Sequence, residues 1–404
     1  MNIQFYLDTT RLSKFLNACM TDYIDFICNS KGIYLISNKQ DIMSGVYFKV
    51  SSQFGFDEDT REMFRFPKDK LSKLALNGIC SIELPLTTNT VKVTFMEDEC
   101  PMYTVELEKE VVKYSTYVHR LNYLGDFDKY PQVDLYKIRD MIGLASQFDS
   151  AIMKSGLSKG FFASINIDSG VCFIEYNNTF IYKETELSDL SISGVLAKKL
   201  INFGGIIRNV ENYLMSVNDG AFLLVNKVNA NTFPDYQYIV KNFVNPSVDL
   251  DFDISKVALL SKKCSFKGGD CAINFANETC TYKTGTMKFT ASVQIKKLNK
   301  TPISKEQNRE NLLQNLGKNT NTTSFKAGKY AKYGLSTIYI PDWIVSKVLN
   351  VNRSLLENLN MQVFNRNVIL STPSFKVLYK RARDVEESLS WWQFKHVYRR
   401  VNQD

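Results

Sequence analysis

Three stretches of the chain carry apolar residues at helical spacing on one face, and each is followed by runs in which apolar and polar residues alternate. The helical stretches are DTTRLSKFLNACM from Asp8, VDLYKIRDMIGLASQF from Val133 and DISKVALLSKKC from Asp253. Their apolar faces are Leu12, Phe15, Leu16 and Cys19, then Leu135, Ile138, Ile142 and Ala145, then Ile254, Val257 and Leu260. Asp8 and Asp253 stand where a capping carboxylate accepts the first free amide hydrogens of a helix. The alternating runs are DFICNSKGIYLIS with SGVYFKV, FFASINIDSGVCFIEY with FIYKETEL, and CAINFANETCTYKTGTMKFTASVQI. Turn-forming groups such as SKG, DSG and NNT divide them into antiparallel strands.

A second helical segment follows each set of strands: PKDKLSKLALNG from Pro67, SISGVLAKKLINFGG from Ser191 and IPDWIVSKVLNVN from Ile340. More strands then close each unit. The pattern therefore predicts an α+β chain that repeats helix, strands, helix, strands three times. First helical segments begin at 8, 133 and 253 and second ones at 67, 191 and 340, giving offsets of 59, 58 and 87. The surplus in the third unit falls in a polar, Asn- and Lys-rich stretch, which predicts a loop insert over 299–330. The units are placed at 1–110, 111–241 and 242–383, with a tail at 384–404.

The 404 residues, 44% hydrophobic and 23% charged, are enough for several domains with real cores. Apolar stretches are short and interrupted by charge, so no membrane span is expected. The start, MNIQFYLDTTRLSKF, lacks the pattern of a secretory signal, which leaves the cytoplasm as the expected compartment. Eight scattered cysteines without a CxxC pair, and only two histidines, predict reduced core thiols and no metal site. No cofactor is implied. There is no GxSxG, P-loop or HExxH, so an enzyme is not expected. The net charge of +8 is compatible with a nucleic-acid partner without requiring one.

The segment NTFPDYQYIV, residues 231–240, ends the second unit and resembles the Gly-x-Phe-Pro-Asp-Tyr segment that ends the middle domain of the bacterial sliding clamp, the DNA polymerase III β subunit. Taken with the three-unit organisation, the chain resembles a diverged clamp, and its Asn/Lys-rich composition suits a phage-encoded one. The resemblance implies three clamp domains, each with two helices packed on antiparallel sheets. It implies a homodimeric ring that encircles double-stranded DNA without reading sequence and holds a replicative DNA polymerase; a clamp loader is a further candidate partner, and whether one is needed to open the ring stays open. Two other readings stay open: a clamp-like transcription factor that tethers an RNA polymerase, and a monomeric DNA-binding or inhibitor protein that kept the fold and lost the ring.

In such a ring the helices line the hole, so their solvent faces should be basic. The candidates are Arg11 and Lys14, Lys70 and Lys73 in the first unit; Lys137, Arg139, Lys198, Lys199 and Arg208 in the second; and Lys256, Lys262, Lys263 and Lys347 in the third. An amphipathic helix often solvates its outer face with lysine, but here all six segments do so while acid gathers in FDEDTRE, EDE and ELEKE. The resemblance also implies a partner-peptide pocket at Ala163, Phe180, Ile181, Pro234, Ile239, Val377 and Tyr379. Asn177, Asn178 and Thr179 replace the family's tight Asp-Gly turn there, and Lys380 and Arg381 replace an apolar strand end. The tail, with Trp391 and Trp392, reads either as packing on its own domain or as a docking segment for a replication protein.

Overall fold

The computed structural model describes residues 2–29, 32–39, 41–49, 62–72, 78–83, 90–97, 100–108, 115–154, 163–176, 179–228, 246, 248–263, 270–274, 278–284, 287–299, 337–341, 343–349, 353–364 and 367–380. The first eight strands are β1 Asn2–Leu7, β2 Tyr23–Asn29, β3 Gly32–Lys39, β4 Ile42–Lys49, β5 Glu62–Pro67, β6 Gly78–Glu83, β7 Thr90–Glu97 and β8 Cys100–Glu108. The next seven are β9 Ser164–Asp168, β10 Val171–Tyr176, β11 Thr179–Glu184, β12 Leu190–Ser193, β13 Ile206–Val210, β14 Tyr213–Asn218 and β15 Ala221–Asn226. The last nine are β16 Val248–Asp253, β17 Asp270–Asn274, β18 Thr279–Thr284, β19 Met287–Ser292, β20 Gln294–Asn299, β21 Thr337–Pro341, β22 Leu359–Val363, β23 Asn367–Ser371 and β24 Lys376–Lys380. Helices α1 Thr9–Ala18, α2 Lys68–Ser72, α3 Ser115–Gly125, α4 Arg139–Lys154 and α5 Gly194–Phe203 are followed by helices Ser255–Lys263 and Arg353–Glu357.

Three repeats emerge from this order. Each runs lead strand, helix, three strands, single strand, helix or helical turn, three strands. The lead strand pairs with the first strand of the second triplet: β1 with β6, and β16 with β22. In the second repeat the lead strand shrinks to one bridge, Gln132 with Arg208 on β13. The third repeat adds β20, which pairs with β16.

The chain divides into two compact units, residues 1–149 with 190–230, and 150–189 with 231–404. This division passes through the second repeat, because its two triplets belong to different sheets. In the first unit β13–β15 continue the strands of the first repeat, in the order β13-β14-β15-β4-β3-β2-β5, beside the separate sheet β1-β6-β7-β8. In the second unit β9–β11 continue the strands of the third, as β9-β10-β11-β24-β23-β22-β16-β20, beside β19-β18-β17-β21. The unit boundaries drawn along the sequence at 110 and 241 are therefore not the boundaries of the sheets.

The local chemistry explains the elements. Asp8 caps α1, accepting from the amides of Thr10 at 2.8 Å and Arg11 at 3.2 Å. Leu12 and Phe15 then enter a core with Phe5, Phe26, Phe64 and Phe66, where the rings of Phe26 and Phe64 stack at 4.7 Å. Burial of each such ring contributes on the order of 2 kcal/mol. Strand β7 alternates as its sequence requires, with Val91, Val93 and Phe95 buried between less buried Lys92 and Thr94.

Several expected helices come out differently. The segment from Val133 opens with a 3-10 turn at Leu135–Ile138, where Asp134 accepts from the Tyr136 amide at 3.1 Å, before α4 begins. Of the segment from Pro67, only the five residues of α2 are helical among those described. The segment from Ile340 begins as strand, because β21 runs through Pro341, and becomes a π-helical turn at Ile344–Val348. Proline has no amide hydrogen to continue the ladder, which fixes the change at that residue. Helix α3 was not among the expected elements. It lays Leu121, Tyr123 and Leu124 on the sheet face formed by Ile27, Ile36, Met43, Met215, Phe222 and Leu224.

Candidate nucleic-acid interface

Among the described residues the exposed cations on helices and helical turns of the first unit are Arg11 on α1, Lys70 on α2, Lys129 on the 3-10 turn after α3, Lys137 on the 3-10 turn before α4, Arg139 at the start of α4, and Lys198 on α5. In the second unit they are Lys256 and Lys347. Each repeat thus contributes at least one. Exposed carboxylates gather on strands and turns instead, with Glu97, Glu106 and Glu108 on β7 and β8 and Asp128 after α3. The acids on the described helices are Asp69, Asp140, Asp149 and Glu357.

Lys14, Lys199, Arg208 and Arg11 are engaged by neighbouring residues. Lys14 on α1 donates to Asp219 Oδ2 at 2.5 Å and to Asn218 Oδ1 at 3.1 Å, in the turn between β14 and β15. That ammonium holds the Asp219 carboxyl below the usual carboxylate range. Lys199 is partly buried, its Nζ lying 3.2 Å from Met20 Sδ. Arg208 is not on a helix. It lies on β13, donating to the Tyr130 carbonyl at 2.6 Å and Asp128 Oδ1 at 3.2 Å, with its guanidinium 5.1 Å from the Phe127 ring centroid. Gly204 and Gly205, both at positive φ, end α5 before it. Arg11 sits 3.6 Å from Asp8, the residue that caps its helix. Lys73 and the side chains of Lys262 and Lys263 lie outside the described residues.

The helices are held close to the strands they cover. Helix α1 packs on both β4 and β15, and α5 packs on β14 and β15. Gly194 opens α5 against α4, where a Cβ would meet the Ala145 Cβ at 2.5 Å and backbone atoms of Ala145 and Ser146 at 2.6 Å. A larger residue there would push the two helices apart.

The peptide-pocket residues divide between two faces. On β11 and β24 the register pairs Thr179 with Tyr379, Phe180 with Leu378 and Ile181 with Val377. Side chains alternate along a strand, so Ile181, Val377 and Tyr379 share one face and Phe180 lies on the other. Ala163, buried just before β9, continues the alternation of Ile165, which the registers place on the Ile181 side. Phe180 joins Phe173, Tyr182, Ile369 and Leu378. This second cluster occupies the place at the β11–β24 pair that the α3-covered cluster occupies at β4–β15. Pro234, Ile239 and the whole FPDY segment, the insert and the tail lie outside the described residues.

Among the described residues no helix is long and apolar enough to cross a membrane, and no group of three or more His, Cys, Asp and Glu stands ready to hold a metal. No family model matches the chain, and no curated protein matches it in sequence. Solved structures do match. A putative DNA polymerase III beta subunit from Eubacterium rectale aligns with a TM-score of 0.60 at 9% identity, covering 94% of this chain and 100% of that one. The DNA polymerase sliding clamp of Bacillus subtilis gives 0.59 at 8% identity over 95% and 100%. The Helicobacter pylori beta clamp bound to a DNA ligase peptide gives 0.55 at 9% identity, again over 95% and 100%. The chain has the fold of these sliding clamps.

Proposed function

We propose that two copies of this chain close head to tail into a ring around duplex DNA and act as a sliding clamp, a non-enzymatic tether for a DNA polymerase. The carrying observation is the pairing of strand edges. In each repeat the first triplet ends in one type of strand, β4, β11 or β19, and the second triplet in another, β8, β15 or β24. The chain joins the two types twice, β4 with β15 and β11 with β24, both antiparallel. One strand of each type is left over. Among the described residues β19 and β8 each stand last in their sheets.

An unpaired edge presents a row of backbone donors and acceptors. A twofold dimer supplies each edge with the other, at two identical junctions. The side chains suit the pairing. Exposed Thr104, Glu106 and Glu108 on β8 would face a strand whose exposed residues are Lys288, Thr290 and Ser292. Opposite charges across such a pair contribute about 0.2–1 kcal/mol each.

The exposed helix cations support the DNA-facing role, since scattered lysines grip phosphates without reading bases and exchange as the ring moves. The acid on β7 and β8 would repel DNA from the sheet side. Partner peptides, as in the H. pylori clamp bound to a DNA ligase peptide, are proposed to dock beside the β11–β24 pair, where Ala163, Ile181, Val377 and Tyr379 form the floor. A polymerase and a clamp loader are the proposed partners, and the cytoplasm the compartment.

The test is solution mass combined with retention on DNA. A ring predicts a dimer that stays on nicked circular DNA at moderate salt and is lost when the circle is cut. A monomer at every concentration, bound equally to circular and linear DNA, would overturn the ring in favour of a monomeric DNA-binding protein. A ring that stimulates only an RNA polymerase would move the role to transcription.

A further inference from the structure

Cys271 on β17 and Cys280 on β18 place their sulfur atoms 2.9 Å apart. The register sets Cys271 opposite Tyr282 and Ile273 opposite Cys280, so the cysteines are diagonal neighbours on one face of the sheet. Both are buried, at 0% and 1% exposure, and neither is in a disulfide. Their separation lies inside van der Waals contact, and an approach of roughly 0.9 Å more would reach the S–S bond length of about 2.05 Å. Among the described residues Cys280 on β18 lies one strand in from β19 and Cys271 on β17 one strand in from β21, the two end strands of that sheet, so fraying of either end strand gives a small oxidant a path to the pair.

We propose that Cys271 and Cys280 are a redox-responsive dithiol, an oxidative modification site that closes to an intrachain disulfide on exposure to hydrogen peroxide. The thiolate of one cysteine attacks a peroxide oxygen. The O–O bond breaks, leaving a sulfenic acid and, after proton uptake, water. The second sulfur then attacks the sulfenic sulfur, the S–S bond forms, the S–O bond breaks, and the oxygen leaves as a second water. Two thiols and one peroxide give one disulfide and two waters, with two electrons passing from sulfur to oxygen. The bridge ties β17 to β18 and stiffens the sheet behind β19, whether or not the chain forms a ring.

The full chain is treated with hydrogen peroxide under native conditions, remaining thiols are alkylated, and a digest is mapped by mass spectrometry. The expected result is a cross-linked peptide joining Cys271 to Cys280, with loss of two hydrogens from the intact mass, reversed by dithiothreitol and absent from Cys271→Ala and Cys280→Ala. Full alkylation of both residues after peroxide has oxidised the exposed Cys100 would overturn the proposal. So would a bridge from either residue to Cys264 instead. Because the wild-type map decides between these outcomes, the test stands even if an alanine variant fails to fold.

Discussion

Replacing Tyr123 by phenylalanine removes one oxygen from the contact that seats α3. The Tyr123 hydroxyl donates to Glu211 Oε2 at 2.7 Å, in a setting where the ring is buried and the carboxylate lies at the surface. A hydrogen bond to a charged group is worth about 1.5–3 kcal/mol when its partner is left stranded. Here Glu211 returns to water, which recovers part of that, so Tyr123→Phe should cost only about 1 kcal/mol, below that range. Tyr123→Ala also empties the ring's place among Ile27, Met43, Met215 and Phe222 and should cost about 3–5 kcal/mol. For a compact unit of this size the milder variant corresponds to about 2–4 °C in the thermal midpoint. Glu211→Gln, and the double variant with Tyr123→Phe, complete a cycle whose coupling should be of the same order as the single loss. The phenol also carries a pH signature. Its bond to Glu211 is the largest cause pushing it up to about 12. The neutral form is the stabilised one, so this contribution is complete below about pH 10 and is lost as pH rises toward 12. Independent behaviour of Tyr123 and Glu211 in the cycle, or a stability profile without loss in that window, would refute the assignment.

Three further outcomes are expected. Gly45→Ala should destabilise by about 1–3 kcal/mol in denaturant titration, because its Cβ would meet the Phe222 ring at 2.3 Å, across the β4–β15 pair, with the Leu35 carbonyl behind it at 3.0 Å. Lys14→Met should lower the thermal midpoint while leaving the salt dependence of DNA retention nearly unchanged, since Lys14 is engaged by Asp219. Lys198→Glu, at an exposed position on α5, should do the reverse and reduce the salt slope by about 1. The Lys14 pair should also weaken in acid: the Asp219 pKa is lowered in the folded chain, so its contribution is present above about pH 4 and fades as pH falls below that. That loss should be missing from the Lys14→Met melting profile.

Much of the architecture can be read from spacing, because capping and alternation are local. Asp8, followed by Leu12 and Phe15, specifies α1 unaided. Each hairpin strand advertises its buried face through period-two alternation. What escapes is non-local or outside the repeat. Helix α3 has no counterpart in the repeating order, and its apolar side rests on Leu121, Tyr123 and Leu124 over barely three turns. Lys14 has the composition of a phosphate contact, but its partner Asp219 is 205 residues away. Other differences were within reach of elementary geometry. Phe180 and Ile181 are adjacent in a strand, so one pocket could not take both side chains from the same face. Arg208 follows two glycines that end a helix, and a strand residue is the natural reading there.

The same physics accounts for a fold kept at very low sequence identity. Strand pairs such as β4–β15 and β11–β24 are made by backbone amides and carbonyls, which every residue except proline supplies. Their side chains need only alternate, and the core accepts any well-fitting set of apolar residues. A helix face that grips DNA through phosphate charge needs positive residues, with no particular one at any particular place. Each requirement constrains a pattern of polarity more than an identity. Positions such as Gly45 and Gly194 are different, because a Cβ there would meet atoms at 2.3 and 2.5 Å. The proposed ring should therefore tolerate wholesale exchange of surface residues on its helices, provided the sign of their charge is kept, while a single added methyl group at Gly45 disturbs the pairing of β4 with β15.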